Sequence, residues 1–336
     1  MIRLSALDQS PIAEGSTAVE ALAQTTRLAQ ELDKLGYHRL WVSEHHFSNS
    51  LAGSSPEVLI AHLAAHTKRL RVGSGGVMLP HYSAYKVAEN FRVLEGLHPN
   101  RIDLGVGRAP GGMPLATRAL QEGKAPGLDQ YPDLLDDLIG YLHDELDPRH
   151  PFAGLRATPY IETAPEVWLL GSSSESARLA AERGASFAFA HFINGEGGEA
   201  AMSWYRRRFR PSLLGDAPQS IVAVFVICAD TDEEASEVAS SLDLTLLLLE
   251  KGGAAQGVPS VETARQYPYT EFDRQRVLAN RNRMIVGNPA QVKARILEMS
   301  EAYETTEFMI VTITHDFEAK LRSYRLLAEA FSGQEN

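Results

Sequence analysis

The sequence predicts an α/β protein built as a single (β/α)8 TIM barrel with insertions at its C-terminal face. Short apolar runs alternate with amphipathic helical patterns along the chain, and eight such runs can be counted. Strands that read as near-continuous Val, Ile and Leu and alternate with helices are typical of a parallel sheet covered on both faces. Eight strand–helix units favour a closed barrel, and an open doubly wound sheet is the alternative.

The eight predicted strands follow from their apolar runs. They cover residues 2–7, 39–43, 70–72 resuming at 77–79, 102–106, 167–170, 186–190, 221–229 and 308–312. The first helix has clear end signals, because Thr17 and Glu20 form a capping-box pair and Gly36 follows the apolar stripe. Further helical patterns cover 85–94, 174–183 and 289–300.

We expect residues 1–336 to form one domain, since α/β barrels commonly reach this length. Two connections are long, about 109–165 and about 230–307. Both leave the C-terminal ends of strands, where barrel enzymes place their active sites. The second contains the segments 252–255 and 267–272, which either fold over the mouth as a lid or decorate the surface.

The composition is that of an ordinary globular protein, with 44% hydrophobic and 22% charged residues. A formal net charge of −11 argues against a general binder of nucleic acid or of anionic membranes, because both need a concentrated basic surface. The single cysteine, Cys228, excludes an internal disulfide and a cysteine-built zinc site. The chain shows no secretory-signal pattern and no apolar stretch of spanning length, so we expect a cytoplasmic protein.

An acidic residue and two histidines, Glu44, His45 and His46, directly follow the second predicted strand. Successive strand residues point to opposite sides, so only one histidine can easily face the mouth of a barrel. The spacing is wrong for a zinc helix, which places two histidines four residues apart. From the residues alone, the motif fits either a hydrogen-bonded structural pair or a catalytic site.

The third predicted strand is interrupted at Ser74, Gly75 and Gly76, of which the last two are paired glycines. Such glycines indicate a β-bulge or a close approach of the backbone to a ligand. A simple bend of the barrel would give the same pattern.

Two further features point to a bound anion. Arg108 ends the fourth predicted strand, and a guanidinium there needs an anionic partner because it cannot lose its charge. The turn after the fifth strand contains Gly171, Ser172 and Ser173, with Ser176 in the following helix, and it offers hydroxyls and free N–H groups at the positive end of a helix dipole. An ordinary N-cap would look the same. Because neighbouring strands carry the two features, they can converge on one dianion.

Four stretches, taken in order, resemble the bacterial luciferase-like monooxygenases, and the match runs over most of the chain. They read LWVSEHHF at 40–47, VGSGGVMLP at 72–80, RIDLGVGR at 101–108 and WLLGSS at 168–173. The chain is most similar to the uncharacterised bacterial branch of that family rather than to light-emitting luciferase.

The resemblance implies FMN, with its phosphate held by Arg108 and by Ser172, Ser173 and Ser176. Luciferase has a glutamate where this chain has Ser172, so that contact is expected to differ in detail.

The family also carries a bulge with a non-proline cis peptide beneath the flavin, which maps onto Gly75 and Gly76. Luciferase has two alanines there, so glycines predict a less constrained bulge. The luciferase histidine tied to catalysis aligns with His45.

By the same resemblance, reduced FMN takes up O2 to give a C4a-(hydro)peroxide that oxygenates a small organic substrate, with His45 as general acid or base. No nicotinamide fingerprint is present, so reduced flavin is expected from a separate reductase. The family also implies a homodimer. Two alternatives are open: a deazaflavin-dependent oxidoreductase of the same superfamily, and a non-catalytic flavin-binding protein.

Overall fold

The computed structural model describes residues 1–122, 130–252 and 256–332. Its strands are β1 (Arg3–Asp8), β2 (Arg39–Val42), β3 (Arg71–Met78), β4 (Ile102–Gly107), β5 (Glu166–Gly171), β6 (Ser186–Ala190), β7 (Ser220–Cys228), β8 (Met284–Gly287) and β9 (Glu307–Val311). The α-helices are α1 (Ala18–Leu35), α2 (Pro56–Ala65), α3 (Ala84–Leu97), α4 (Pro114–Leu120), α5 (Tyr131–His143), α6 (Ser174–Arg183), α7 (Gly198–Arg208), α8 (Asp232–Glu250), α9 (Val261–Gln266), α10 (Glu271–Arg281), α11 (Pro289–Tyr303) and α12 (Phe317–Ser332).

Eight parallel strands close into a barrel in the order β1-β2-β3-β4-β5-β6-β7-β9, and β9 pairs back onto β1. In the register of β1, Ala6 lies between Leu40 of β2 and Ile310 of β9. These eight strands are the eight that the apolar runs predict. The (β/α)8 TIM barrel is therefore confirmed.

The alternation of side chains along each strand separates two apolar layers. Leu40 and Val42 point outward and join the core between the strands and the surrounding helices. Trp41, between them, points into the barrel, where it meets Trp168 edge-on with ring centroids 5.5 Å apart. Both layers are buried, which explains why the strands read as continuous hydrophobic runs.

A network of charged side chains closes the N-terminal end of the barrel. Arg39 is 1% exposed, and it contacts Asp103 at 2.7 Å, Glu307 at 2.7 Å and Glu166 at 3.3 Å. Arg71 adds a second contact to Asp103 at 2.6 Å. A buried arginine requires such partners, because removing one side of a buried ion pair leaves an uncompensated charge. With this end filled, access to the barrel interior is left to the C-terminal end.

The helix ends follow their local signals. The capping box of Thr17 and Glu20 is formed at the start of α1, and Gly36 ends that helix in the left-handed region with φ 79°. The predicted helices at 85–94, 174–183 and 289–300 correspond to α3, α6 and α11. None of the described helices has the length and hydrophobicity that crossing a membrane requires.

The two long connections contain regular structure. The first holds α4 and α5, and its residues 123–129 lie outside the described part of the chain. The second holds α8, α9, α10, β8 and α11, and β8 was not predicted. β8 pairs only with the C-terminal part of the nine-residue β7, at Phe225–Cys228, beyond the part that pairs with β6. It is therefore an extra strand beside the C-terminal end of β7 rather than one of the eight barrel strands.

Of the two predicted lid segments, 267–272 packs on the outer helices. Tyr267 and Tyr269 belong to a small apolar cluster with Leu244, Leu247 and Ala264, which places this segment against α8. Residues 253–255 of the other segment lie outside the described residues.

Candidate active site

A cavity of about 480 Å³ lies at the C-terminal ends of the barrel strands. Its polar side is formed by Arg108, which follows β4, and by the end of β5 and the turn after it, with Gly171, Ser172, Ser173 and Ser176. The remaining lining is mostly apolar and includes Leu7, Trp41, Met78, Leu170, Ala188, Phe192, Ile193, Ala223 and Met309. A mostly apolar pocket with a few convergent polar groups is the usual form of a small-molecule site.

A second groove, of about 500 Å³, lies between α1 and α2 on the outside of the barrel. Its lining includes Leu22, Val58, Leu59 and His62. It meets a single strand end, at Ser43 after β2, and its lining has no cluster of charged side chains, so we place the candidate active site in the first cavity.

Arg108 is the cation at the polar side of that cavity. Its side chain is exposed, and it has no ion pair and no hydrogen-bond partner among the described residues. It lies near the start of α6, because its charge acts on Glu175 in the first turn of that helix. The pKa of Glu175 is lowered mainly by a hydrogen bond from Arg178 and further by the charge of Arg108. An arginine held at a cavity without a protein partner is suited to an anionic ligand.

The start of α6 supplies hydrogen-bond donors beside this arginine. Ser173 caps the helix and accepts a hydrogen bond from the Ser176 N–H at 3.5 Å, and the two hydroxyl oxygens are 3.4 Å apart. Gly171 has no room for a side chain, because a Cβ there would collide with the Ser176 hydroxyl. The first turn of a helix leaves N–H groups unpaired at the positive end of the dipole, which is where anions bind.

The glycine bulge forms part of the cavity wall. The peptide between Gly75 and Gly76 is cis, as the resemblance implies, and the pairing of β3 with β4 shifts register at this point. Glycines alone predict a less constrained bulge, but the residues packed around it leave no space for a side chain at either position. A Cβ on Gly76 would lie 2.7 Å from the Gly105 carbonyl oxygen, and one on Gly75 would lie 2.8 Å from Leu7 Cδ1. The bulge therefore presents bare backbone to the cavity.

Ser74, next to the bulge, is not among the cavity-lining residues. It is fully buried, and its hydroxyl donates a hydrogen bond to the Gly105 carbonyl at 2.8 Å. Its contact ties β3 to β4 beneath the bulge.

His45 does not line the cavity either. Its Nδ1 is 2.9 Å from the Ser43 hydroxyl, and its backbone N–H donates to the Gly53 carbonyl at 2.8 Å. Burial, with a smaller contribution from His46, lowers the pKa of His45 to about 4. The ring is therefore neutral near pH 7, and the other ring nitrogen, Nε2, has no hydrogen-bond partner among the described residues.

Glu44 is the centre of a network that the sequence did not reveal. Its carboxylate is completely buried and accepts hydrogen bonds from the Tyr82 hydroxyl at 2.7 Å and from the Met78 N–H at 2.9 Å. His46 Nε2 lies 2.7 Å from the same carboxylate. Because Met78 lines the cavity, Glu44 fixes the end of β3 directly behind the candidate site.

Three further residues with ring side chains near the mouth differ in whether they line the cavity. Phe192 lines the cavity and packs edge-on against Phe225 at 5.2 Å. His81 contacts the Pro110 carbonyl at 2.7 Å, and His191 contacts the Tyr303 hydroxyl at 2.8 Å. These two histidines are buried structural contacts.

Sequence comparison places the chain in a family. The model of the luciferase-like monooxygenases matches residues 2–306. The chain belongs to the luciferase-like monooxygenase family. The predicted class, a flavin-dependent monooxygenase, is confirmed at the level of that family.

Two relatives from Bacillus subtilis (strain 168) match along almost their whole length. The uncharacterised protein YwcH is 64% identical over 332 residues, which cover 99% of this chain and 100% of YwcH. An N-acetyl-S-alkylcysteine monooxygenase is 42% identical over 331 residues, which cover 98% of each chain.

Solved structures agree with the architecture. The crystal structure of apo-MsnO8 has a TM-score of 0.90 with 38% identity and covers 99% of both chains. The oxygenating constituent of 3,6-diketocamphane monooxygenase from Pseudomonas putida, solved with FMN, has a TM-score of 0.73 with 20% identity and covers 98% of this chain and 97% of that one. The second likeness concerns the fold alone.

Proposed function

We propose that this luciferase-like protein is an FMN-dependent monooxygenase that uses reduced flavin and O2 to oxygenate a small organic substrate. The observation that carries the proposal is the convergence of two anion-binding features on one cavity. Arg108 from the end of β4 and the first turn of α6 line the same side of it. A phosphate monoester is the ligand that such a pair of features suits.

The residues present fit FMN in two respects. Arg108, Ser173 and Ser176 would hold the phosphate, because they supply a guanidinium, hydroxyls and free helix N–H groups at one side of the cavity. The apolar lining and the bare backbone at Gly75 and Gly76 would take the ring system. When bound in its reduced form, the flavin supplies the reaction with O2.

The protein's own part is to bind, to orient and to exclude water. The apolar side chains around the cavity, such as Leu7, Phe192 and Met309, keep water from the reacting centre. His45 is the proposed acid–base group on the resemblance alone, because its ring, neutral near pH 7, does not line the cavity. A neutral imidazole could accept a proton from the substrate.

We further propose that reduced FMN is supplied by a separate reductase and that the protein is a homodimer. The first point is supported by the lack of a nicotinamide fingerprint in the sequence, and the second by the family resemblance.

The test uses the purified protein with chemically reduced flavins. Wild-type protein should bind FMN more tightly than riboflavin, should consume O2 with reduced FMN, and should incorporate ¹⁸O from ¹⁸O2 into a turned-over thioether, ketone or aldehyde. Tighter binding of a deazaflavin, with hydride transfer and no O2 incorporation, would assign the alternative oxidoreductase. Flavin binding without O2 consumption would assign the non-catalytic alternative.

A further inference from the structure

The loop between β6 and α7, residues 191–197, lies between the cavity and the second long connection. Phe192 and Ile193 of this loop line the cavity. Arg283, which follows α10, holds the loop from the outside: its Nη1 donates to the carbonyls of Phe192 at 3.1 Å and Ile193 at 3.0 Å. Its Nη2 donates to Asn280 Oδ1 at 2.7 Å, which fixes the guanidinium in turn.

On the other side, the loop is joined to the start of α6 by Asn194. The Asn194 Nδ2 group donates a hydrogen bond to the Ser172 carbonyl at 3.1 Å. Its Oδ1 accepts one from the Glu196 N–H at 3.2 Å. Both ends of the amide have partners of the correct type, so the orientation of the side chain is determined.

The contact to Ser172 has a consequence for the proposed phosphate site. The carbonyl of Ser172 and the N–H of Ser173 belong to the same planar trans peptide unit, and they point in opposite directions. Fixing the carbonyl toward Asn194 therefore fixes the direction of the Ser173 N–H on the opposite side. Ser173 is the N-cap of α6 and lines the cavity.

We propose that Asn194 is a positioning residue for the flavin phosphate, and that Arg283 acts through it by holding the β6–α7 loop. This inference rests on the proposed FMN site. It assigns to the second long connection a part in cofactor binding, although no residue of that connection lines the cavity among those described.

The test compares FMN with riboflavin, which lacks the phosphate. Dissociation constants are measured by quenching of flavin fluorescence for wild type, Asn194→Ala and Arg283→Met. Loss of one uncharged hydrogen bond should raise the Kd for FMN in Asn194→Ala by about three- to tenfold. The Kd for riboflavin should not change. Arg283→Met should shift the same ratio in the same direction, and the double variant should lose no more than the larger single effect.

Two controls match these substitutions. Asn49→Ala removes an exposed asparagine whose side chain has no hydrogen bond among the described residues. Arg276→Met removes an arginine that contacts Glu250 at 3.0 Å, and Glu250 also lies 3.9 Å from Arg283. Among the contacts of the described residues, Arg276 has none with a carbonyl of the β6–α7 loop. Both controls should keep the wild-type ratio.

An unchanged FMN-to-riboflavin ratio in Asn194→Ala overturns the inference, and so does an equal loss for both flavins. Because Asn194 is exposed, this variant keeps the test decisive even if Arg283→Met fails to fold. Wild-type protein that binds FMN no better than riboflavin contradicts the proposed phosphate site itself, before any variant is made.

Discussion

Gly76 lies so close to Gly105 that a Cβ built on it would be 2.7 Å from the Gly105 carbonyl oxygen. A second collision, with the Leu170 side chain, would be closer still. The carbonyl belongs to a barrel strand and cannot turn away as the end of a flexible side chain can. The absence of a side chain at Gly76 is therefore a condition for packing β3 against β4 at the cavity wall.

We predict that Gly76→Ala lowers the free energy of unfolding by roughly 1–3 kcal/mol, the usual cost of overpacking a core. It should also weaken FMN binding, because β3 and β4 must separate at the bulge. Urea unfolding measures the first effect and fluorescence titration the second. Gly96→Ala is the matched control, since its Cβ would meet only Ile161 Cγ2 at an ordinary 3.5 Å. Equal stability of the two variants would contradict the prediction.

Arg108 gives a second prediction, because its guanidinium lines the cavity without a protein partner among the described residues. Arg108→Met should raise the Kd for FMN by about ten- to 150-fold, which corresponds to about 1.5–3 kcal/mol for a charge-assisted hydrogen bond. Riboflavin binding should be unaffected. Arg118→Met, at an exposed arginine of α4, is the control, and isothermal titration calorimetry is the measurement. A parallel loss for both flavins would show that Arg108 does not act on the phosphate.

The Glu44 carboxylate is predicted to stabilise the protein through its three contacts. Glu44→Gln replaces one accepting oxygen by a donor N–H₂, so either the Tyr82 hydroxyl must reverse its hydrogen bond and accept, or the Met78 N–H must lose its acceptor. We expect a loss of about 1–3 kcal/mol in the free energy of unfolding. Tyr82→Phe removes only one of the bonds and should lose less, and a double-mutant cycle separates the shared part. Full additivity of the two substitutions would argue against direct coupling.

The depressed pKa of His45 predicts a pH dependence of stability. The pKa is about 4 in the folded protein and 6.5 for an ordinary histidine. Between these values the unfolded chain binds a proton that the folded protein does not, so stability rises with pH across the window and is lost as pH falls from 6.5 toward 4. His45→Gln should flatten the pH dependence of unfolding there, by at most about 1.4 kcal/mol per pH unit. The exposed His66→Gln serves as control, and an unaltered slope in His45→Gln would refute the assignment.

His45 also gives a prediction on turnover. His45→Ala should retain FMN binding, because the ring does not line the cavity, and it should lose oxygenation of the substrate or shorten the lifetime of the oxygenating species. Stopped-flow absorbance with reduced FMN and O2 measures both. Unchanged turnover would remove His45 from the mechanism and leave the flavin site untouched.

The sequence by itself determined the barrel, the ends of its first helix and the positions of the polar residues at the ends of β4 and β5. These follow from local signals: the length and continuity of apolar runs, the Thr17–Glu20 capping box, and an arginine and serines at successive strand ends. Because parallel strands of a closed barrel end at the same face, such signals also place Arg108 beside Ser173.

Only the tertiary structure decided which groups meet around that face. Tyr82, one of the partners of Glu44, comes from beyond β3, and Arg283 reaches Phe192 from 91 positions further along the chain. In the tertiary structure, His45 contacts Ser43, and Ser74 contacts Gly105. Neither side chain lines the cavity, where the sequence pattern had suggested that both would lie. Such contacts depend on strand register, on side-chain rotamers and on how inserted helices pack, and none of these leaves a periodic trace in the sequence.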